Sequence, residues 1–478
     1  MRLCDLAPEA EKTPFFNYEI TNIVADTRLA REGSLFVARR GFLTDSHELV
    51  LDAYRRGARV FLCEREVSLP TDALVIYTAS GAKRSAELLA RLYGHPERGL
   101  TIIGITGTKG KSTVAMMLLH LLEAQNIPSI AVGTLGVVGM DYPHRSDNTT
   151  PDAFYLYPLL CEARRKGKRA VILEVSSQAL KTHRLHGIEL SCAALTSLGI
   201  DHIGEGEHKD FYDYLLAKRR LFTSFSVPVA VVNSDCEHSR FLTGGVGKCV
   251  YCSVKQSLGL YAENIRADGV GVRFSFRGRS FSLQMAGEFN VMNALIASAV
   301  ANEVFNIPVD LSLSLLADAR VDGRFDAFSH NGRLFVIDYA HNAMSIEALC
   351  RTVRERCAGR IICVVGSVGG RSRERRAEIA RSAEEGADFT VITEDNPNFE
   401  PSIAVCADIY AAFRDKGRAR IVTDRREAIK YAVTLCARGD AILLLGKGHE
   451  RFQRLRGENI PFSEKETVYS LDNNPDIW

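Results

Sequence analysis

Residues 101–122, TIIGITGTKGKSTVAMMLLHLL, read as a buried strand, a glycine-rich turn and a helix. That order is what a phosphate-cradling loop needs. Gly107 and Gly110 free the backbone to turn its N–H groups inward around an anion. A helix starting near Lys111 adds the positive end of its dipole. Lys111 is placed to neutralise outer phosphates, and Ser112 or Thr113 offers a hydroxyl to Mg²⁺. Gly107, Thr108, Lys109, Gly110, Lys111, Ser112 and Thr113 are the candidate ATP-binding residues of this segment. The string departs from G-x-x-x-x-G-K-[ST], because Ile105 stands where the first glycine belongs. A βα turn without a ligand is the plain alternative, and the loop alone specifies a nucleotide, not a reaction.

Outward from the loop, apolar strands are expected at 129–132, 169–175, 192–195 and 229–232, alternating with helices. Near-continuous apolar runs of this kind predict a parallel sheet buried on both faces. A hairpin is expected over 270–285, turning at Arg277-Gly278, then a helix over 291–305. A further alternation, with strands at 334–339, 360–365, 390–393 and 441–445, predicts a second α/β domain. Before the loop, strands at 33–38 and 58–62 flank a helix at 48–56. The fold class is therefore α/β in three domains: 1–97, 98–320 and 321–478.

The chain of 478 residues carries a formal charge of +2, so no global field draws it to nucleic acid or a membrane surface. No run is apolar enough to span a bilayer, and the first residues lack a signal-peptide core. Its 12 cysteines are scattered, which fits free thiols in a reducing compartment and predicts a cytoplasmic protein. Cys249 and Cys252 have C-x-x-C spacing with Cys236 and His238 upstream, but no second pair follows. The same segment, KCVYCSV, reads as a strand, which places the two sulfurs apart along it and disfavours a metal site.

Other strings carry chemistry. Glu174 ends the apolar strand AVIL and is followed by Val175-Ser176-Ser177; a carboxylate at a strand's carboxyl end faces the ligand crevice and suits Mg²⁺. Asn148-Thr149-Thr150-Pro151 makes a polar clamp beside a proline-fixed turn, or simply caps the next helix. Asp201-His202 follows the next strand, and Lys218 lies in YLLAKRRLF (214–222). Asp26-Thr27-Arg28 precedes Leu35-Phe36-Val37-Ala38. Later come Phe289-Asn290 with Asn293, Gly323-Arg324-Phe325, Asp338-Tyr339-Ala340-His341, Asp395-Asn396-Pro397-Asn398 and Gly446-Lys447-Gly448-His449-Glu450. With TGTKGKST at 106–113 these strings resemble the Mur ligase family over almost the whole chain, most closely its tripeptide-forming type.

The resemblance implies an N-terminal UDP-binding domain, a central P-loop ATPase domain and a C-terminal Rossmann-like domain. It implies an ATP-dependent amide ligase adding a third amino acid to UDP-N-acetylmuramoyl-L-alanyl-D-glutamate through an acyl phosphate. Thr27, Asn148, Thr149, Thr150, Ser176 and Arg184 would hold the UDP substrate. Glu174, His202 and a carbamylated Lys218 would organise Mg²⁺ together with Ser112. Asn293, Arg324, Asp338 and His341 would serve ATP. Arg371, Asp395, Asn396, Asn398, Gly446 and Glu450 would receive the amino acid, on a monomer. The run 371–376 otherwise reads as a solvated helix start. The family's selector for meso-diaminopimelate, D-N-P-R, has Asn398 in place of its arginine here. Asparagine cannot pair with a second carboxylate, so L-lysine or another residue without one is expected, with Asp395 attracting a distal ammonium. A folylpolyglutamate-synthetase-like ligase and a non-catalytic binding paralogue are the alternatives.

Overall fold

The computed structural model describes every residue except 42–44, 145, 147, 200–202, 205–206, 270, 371 and 472–478. Its contacts group into two units, Met1–Tyr261 with Met292–Leu313, and Ala262–Val291 with Ser314–Trp478.

In the first unit, β1 (Asn22–Val24), β2 (Ser34–Ala38), β3 (Val60–Cys63) and β4 (Leu74–Tyr77) form a parallel four-stranded sheet. The helix expected at 48–56 starts instead as a 3-10 turn, Ser46–Leu49, with α-helix only over Val50–Arg55. Asp45 explains the start, since its carboxylate accepts from the His47 N–H at 3.0 Å.

The larger sheet contains β5 (Thr101–Thr106), β6 (Ser129–Gly133), β7 (Gly136–Val138), β8 (Ala170–Val175), β9 (Cys192–Leu195), β10 (Ala230–Asn233) and β11 (Cys249–Ser253). Their order is β11-β10-β9-β5-β8-β6-β7, all parallel except β7. The core strands β8 and β9 are buried at every position, as two-sided cover requires. Because β9, β5, β8 and β6 are consecutive neighbours, the loops after them open at one edge. Register fixes the detail: Ile105 pairs with Glu174, and Val132 with Leu173. The helix Lys111–Ala124 buries Val114, Met117, Leu118, Leu121 and Leu122, which anchors the phosphate loop to the core.

Leu260 and Tyr261 open β12 (Leu260–Asp268) alongside β11. In the second unit the rest of β12 pairs with β13 (Gly271–Phe276), which pairs with β14 (Arg279–Leu283). A six-stranded sheet follows, built from β15 (Asp326–His330), β16 (Arg333–Asp338), β17 (Ile361–Val365), β18 (Phe389–Ile392), β19 (Ala419–Ile421) and β20 (Ala441–Leu445). The order is β15-β16-β20-β17-β18-β19, parallel apart from the β15–β16 pair. A small hairpin, β21 (Phe452–Leu455) with β22 (Glu458–Pro461), comes after it. Among the described residues no helix is long and apolar enough to cross a membrane, and no group of three His, Cys, Asp or Glu is placed to hold a metal ion. Cys249 and Cys252 both lie on β11, and burial pushes the Cys252 thiol above its usual range.

Candidate active site

The phosphate loop spans the end of β5 and the first turn of the helix Lys111–Ala124. Thr106 Oγ1 donates to the Val175 carbonyl at 2.8 Å, tying the loop's start to the end of β8. Thr108 meets the Tyr214 hydroxyl at 2.9 Å and accepts from the Gly199 N–H at 3.0 Å. The Lys109 N–H donates to Ser197 Oγ at 2.8 Å. Gly110 holds φ +86, and a Cβ there would lie 2.6 Å from Asn293 Oδ1, so this turn excludes a side chain. Asn293 is thus placed against the loop's last turn. Lys111 Nζ donates to the Gly107 and Thr108 carbonyls at 2.8 and 3.2 Å. Thr113 is buried in the same turn.

Glu174 is 3 % exposed. Its carboxylate accepts from Ser112 Oγ at 3.0 Å, from the Thr134 N–H at 3.0 Å and from Thr134 Oγ1 at 3.2 Å. The strand-end carboxylate and the loop hydroxyl expected to serve Mg²⁺ therefore lie within one hydrogen bond. The donor set is hard oxygen, which suits Mg²⁺. The buried anion is met by neutral hydrogen-bond donors, so a divalent cation would complete its charge balance. Gly133 makes room for it: a Cβ there would sit 2.1 Å from Glu174 Oε1. We expect Gly133→Ala to lower ATP turnover by about 10²-fold or more, since it displaces the carboxylate. Phosphate release measured beside a circular-dichroism melt checks this; wild-type turnover in a folded variant would refute it.

Lys218, on the helix Phe211–Thr223, is 1 % exposed. Its Nζ donates to the Gly107 carbonyl at 3.0 Å and lies 4.6 Å from the Tyr214 ring centroid. His202 and Arg371 lie outside the described residues. His208, which the sequence reading missed, is buried between Ser177 Oγ at 2.9 Å and Asp213 Oδ2 at 3.1 Å. Asp213 also accepts from Lys181 at 2.8 Å. Lys181 foremost, then His208, lowers its carboxyl to about 2. A depressed carboxyl contributes stability above its unfolded pKa of ~4 and loses it as pH falls through the folded value. Asp213→Asn should therefore be less stable at neutral pH and lose less stability between pH ~4 and ~2. Urea midpoints across that range measure it, and parallel wild-type and variant curves would refute it.

Beside Glu174 lies the clamp. Thr150 Oγ1 donates to the Glu174 carbonyl at 2.8 Å and accepts from the Ser176 N–H at 2.9 Å. Ser176 caps the helix Ser177–Lys181, whereas the helix after Pro151, Ala153–Arg165, has Asp152 at its N-cap with no side-chain cap bond. Thr149 meets Thr134 at 3.2 Å, and Asn148 is exposed. Arg184 donates to the Thr150 carbonyl at 2.9 Å; burial lowers its pKa. Thr27 opens a 3-10 turn after β1. Arg39, directly after β2, lies 2.9 Å from Asp152, directly after the clamp.

In the second unit, Arg324 lies over the Tyr339 ring at 4.5 Å, and Asp338 accepts from the Phe325 N–H at 2.7 Å. His341 Nδ1 is 2.7 Å from the Tyr339 carbonyl, and the Gly446 N–H donates to the Asp338 carbonyl at 3.0 Å. Lys447 is fully buried. Its ammonium donates to Glu450 Oε2 at 2.5 Å and Asn396 Oδ1 at 2.8 Å, with Asp395 Oδ1 at 3.6 Å. Asn396 Nδ2 donates to Glu450 at 2.8 Å. Asn398 holds φ +60 and donates its N–H to the Arg454 carbonyl.

Asp395 is 2 % exposed, burial raises its pKa, and Lys447 opposes it. One expectation is corrected here: the described residues of 371–376 are not a plain solvated helix start. Arg376 is buried, paired with Glu400 at 2.6 Å and Asp408 at 2.8 Å. The roles of Lys447, Arg376 and Thr134 were missed; a lysine inside LLLGKGHE, directly after a buried strand, was the available signal.

Fold and loop together define an α/β phosphate-loop protein with a carboxylate seated on the loop hydroxyl. Residues 105–301 match the Mur ligase middle domain, and residues 323–448 match the Mur ligase, glutamate ligase domain. A UDP-N-acetylmuramoyl-L-alanyl-D-glutamate–2,6-diaminopimelate ligase of Caldanaerobacter subterraneus subsp. tengcongensis is 33% identical over 98% of this chain and 99% of its own. The solved structure of a ligase of that name superposes at TM-score 0.67, with 25% identity over 99% of both chains. A Mycobacterium tuberculosis folylpolyglutamate synthase solved with ADP reaches 0.63 at 18% identity, over 76% of this chain and 91% of its own, which speaks to fold alone. The chain belongs to the Mur ligase family.

Proposed function

We propose that this chain is an ATP-dependent ligase joining a third amino acid to UDP-N-acetylmuramoyl-L-alanyl-D-glutamate, within a three-domain division at 97/98 and 320/321. The observation that carries this is Glu174 on Ser112 Oγ with the Asn148–Thr150 clamp bonded to the same strand end. Relatives named for this reaction match nearly the whole chain, whereas the folylpolyglutamate synthase covers less of it.

Amide formation from a carboxylate needs a better leaving group than oxide. Transfer of the γ-phosphoryl group of ATP to the dipeptide carboxylate, with ADP leaving, supplies one as an acyl phosphate, from which the incoming amine displaces inorganic phosphate and loses a proton. Lys111 neutralises the phosphates, while Ser112 and Glu174 would hold Mg²⁺. When bound, that ion would offset charge on the transferred group. The Thr149–Thr150 clamp and Arg184 orient the dipeptide, and Glu450 receives the α-ammonium of the amino acid. Lys218 is proposed to be carbamylated; a carbamate N–H keeps one donor for the Gly107 carbonyl, so the observed contact fits the modified form. We further propose an amino acid lacking a distal carboxylate, because Asn398 offers no cation.

The test is phosphate release with the UDP-muramoyl dipeptide and a panel of amino acids. Release with no amino acid in the panel would sink the ligase reading. Faster turnover with meso-diaminopimelate than with L-lysine would sink only the choice of amino acid.

A further inference from the structure

A cleft of about 550 Å³ in the first unit is lined from the helix Gly81–Leu92, from the loop after the helix Ser177–Lys181 and from the end of the helix Phe211–Thr223. It gathers Lys83, His183, His186 and Arg220. Tertiary structure brings them together, since they come from separate segments. One lining residue, Glu189, is acidic. His186 Nε2 lies 3.4 Å from Glu87, whose carboxylate also binds Arg84 at 2.7 Å. The Arg220 guanidinium lies 3.5 Å from the Leu180 and Lys181 carbonyls. Among the described residues, the Lys83 ammonium and the His183 ring have no hydrogen-bond or ion-pair partner.

We propose that this cleft binds a small phosphate-bearing anion, with Lys83, His183, His186 and Arg220 as its donors. His183 holds φ +57, a conformation that a residue with a Cβ seldom adopts and that clusters at binding sites. Burial lowers its pKa, and so do Lys83, Arg220 and His186 around it. Positive groups thus face one another across the opening, and Glu189 is one carboxylate against them. A dianion between them turns mutual repulsion into attraction and supplies acceptors to N–H donors. A carboxylate offers fewer acceptors and half the charge. The volume exceeds that of a bare phosphate, and Leu180, Ile188 and Phe225 give apolar wall for an attached organic body. None of these residues belongs to the phosphate loop or the clamp, so the inference stands independently of the ligase reading.

The experiment follows histidine C2–H resonances of the intact protein during titration with inorganic phosphate at constant ionic strength. His183→Asn and His186→Asn assign the two signals. The expected result is a saturable shift of both toward their protonated positions, in wild type and in Lys111→Ala alike. Lys83→Glu, with its folding verified by a thermal melt, should weaken binding at least ~10-fold, because it reverses one of the charges. Three outcomes would overturn the site: equal shifts with chloride, loss of the shift in Lys111→Ala, or wild-type affinity in Lys83→Glu. A parallel titration with UDP separates the sources. Tighter binding of UDP at the same resonances assigns the site to a nucleotide phosphate. Equal or weaker binding assigns it to free phosphate. Either source upholds the site.

Discussion

Glu174→Gln is expected to cut ATP turnover by about 10³-fold while leaving stability in metal-free buffer unchanged or slightly raised. The two effects have one cause. Glu174 is a buried carboxylate whose donors are a backbone N–H and two hydroxyls. Burying an anion among neutral groups costs several kcal/mol unless a cation joins it. Glutamine keeps the shape, and the Ser112 and Thr134 hydroxyls can rotate to accept from its amide. The folded state therefore loses an unfavourable charge, not a favourable contact. Turnover falls because phosphoryl transfer depends on charge neutralisation at the loop. Ligand linkage supplies a second readout. Wild type should gain melting temperature with ATP and Mg²⁺ by mass action, and the variant should gain much less. A variant with full turnover, or with an undiminished melting shift, would remove Glu174 from the proposed metal site.

Lys111, Ser112 and Glu174 were readable in sequence because each sits at a fixed offset from a strand that must be buried. The runs of β8 and β20 are apolar at nearly every position and β5 carries Ile102, Ile103 and Ile105; all three strands are buried almost throughout, as two-sided cover requires. Shorter or more polar strands gave no such signal. β1 has three residues, and β12 reads LYAENIRAD, mostly outward-facing. What the loop residues touch was less legible still. Thr134 reaches Glu174 because β6 lies beside β8, a pairing that local pattern does not encode. The pattern of arginines at 371–376 suggested solvent, yet Arg376 turns inward to Glu400 and Asp408. Composition alone cannot distinguish an arginine that neutralises buried acids from one that is solvated. The Lys447 partner of Asp395 was hidden for the same reason: it arrives from another strand's end.

That partner gives the second large effect. Lys447→Met should destabilise the protein by about 3–5 kcal/mol, the usual cost of orphaning a buried charge. It should also raise the KM for the amino acid by about 10²-fold, roughly 3 kcal/mol, while the KM for ATP moves less than about twofold. The ammonium holds the Glu450 carboxylate and the Asn396 carboxamide in one geometry. Without it, Glu450 keeps only its hydrogen bond from Asn396 and turns more readily from the position proposed to receive an incoming α-ammonium. Asp395 distinguishes this account from simple loss of packing. It is buried, among the described residues its Oδ1 has no hydrogen-bond partner, and Lys447 stands 3.6 Å away. If orphaned charge drives the destabilisation, Asp395→Asn on top of Lys447→Met should recover part of the lost stability. It should not recover the KM, because Glu450 still lacks the ammonium and keeps only its hydrogen bond from Asn396. Urea midpoints and steady-state kinetics of the two single variants and the double variant measure both quantities. Additive losses of stability would make Lys447 a packing residue. Equal rises in both KM values would make it a support of the whole fold instead of the amino-acid site.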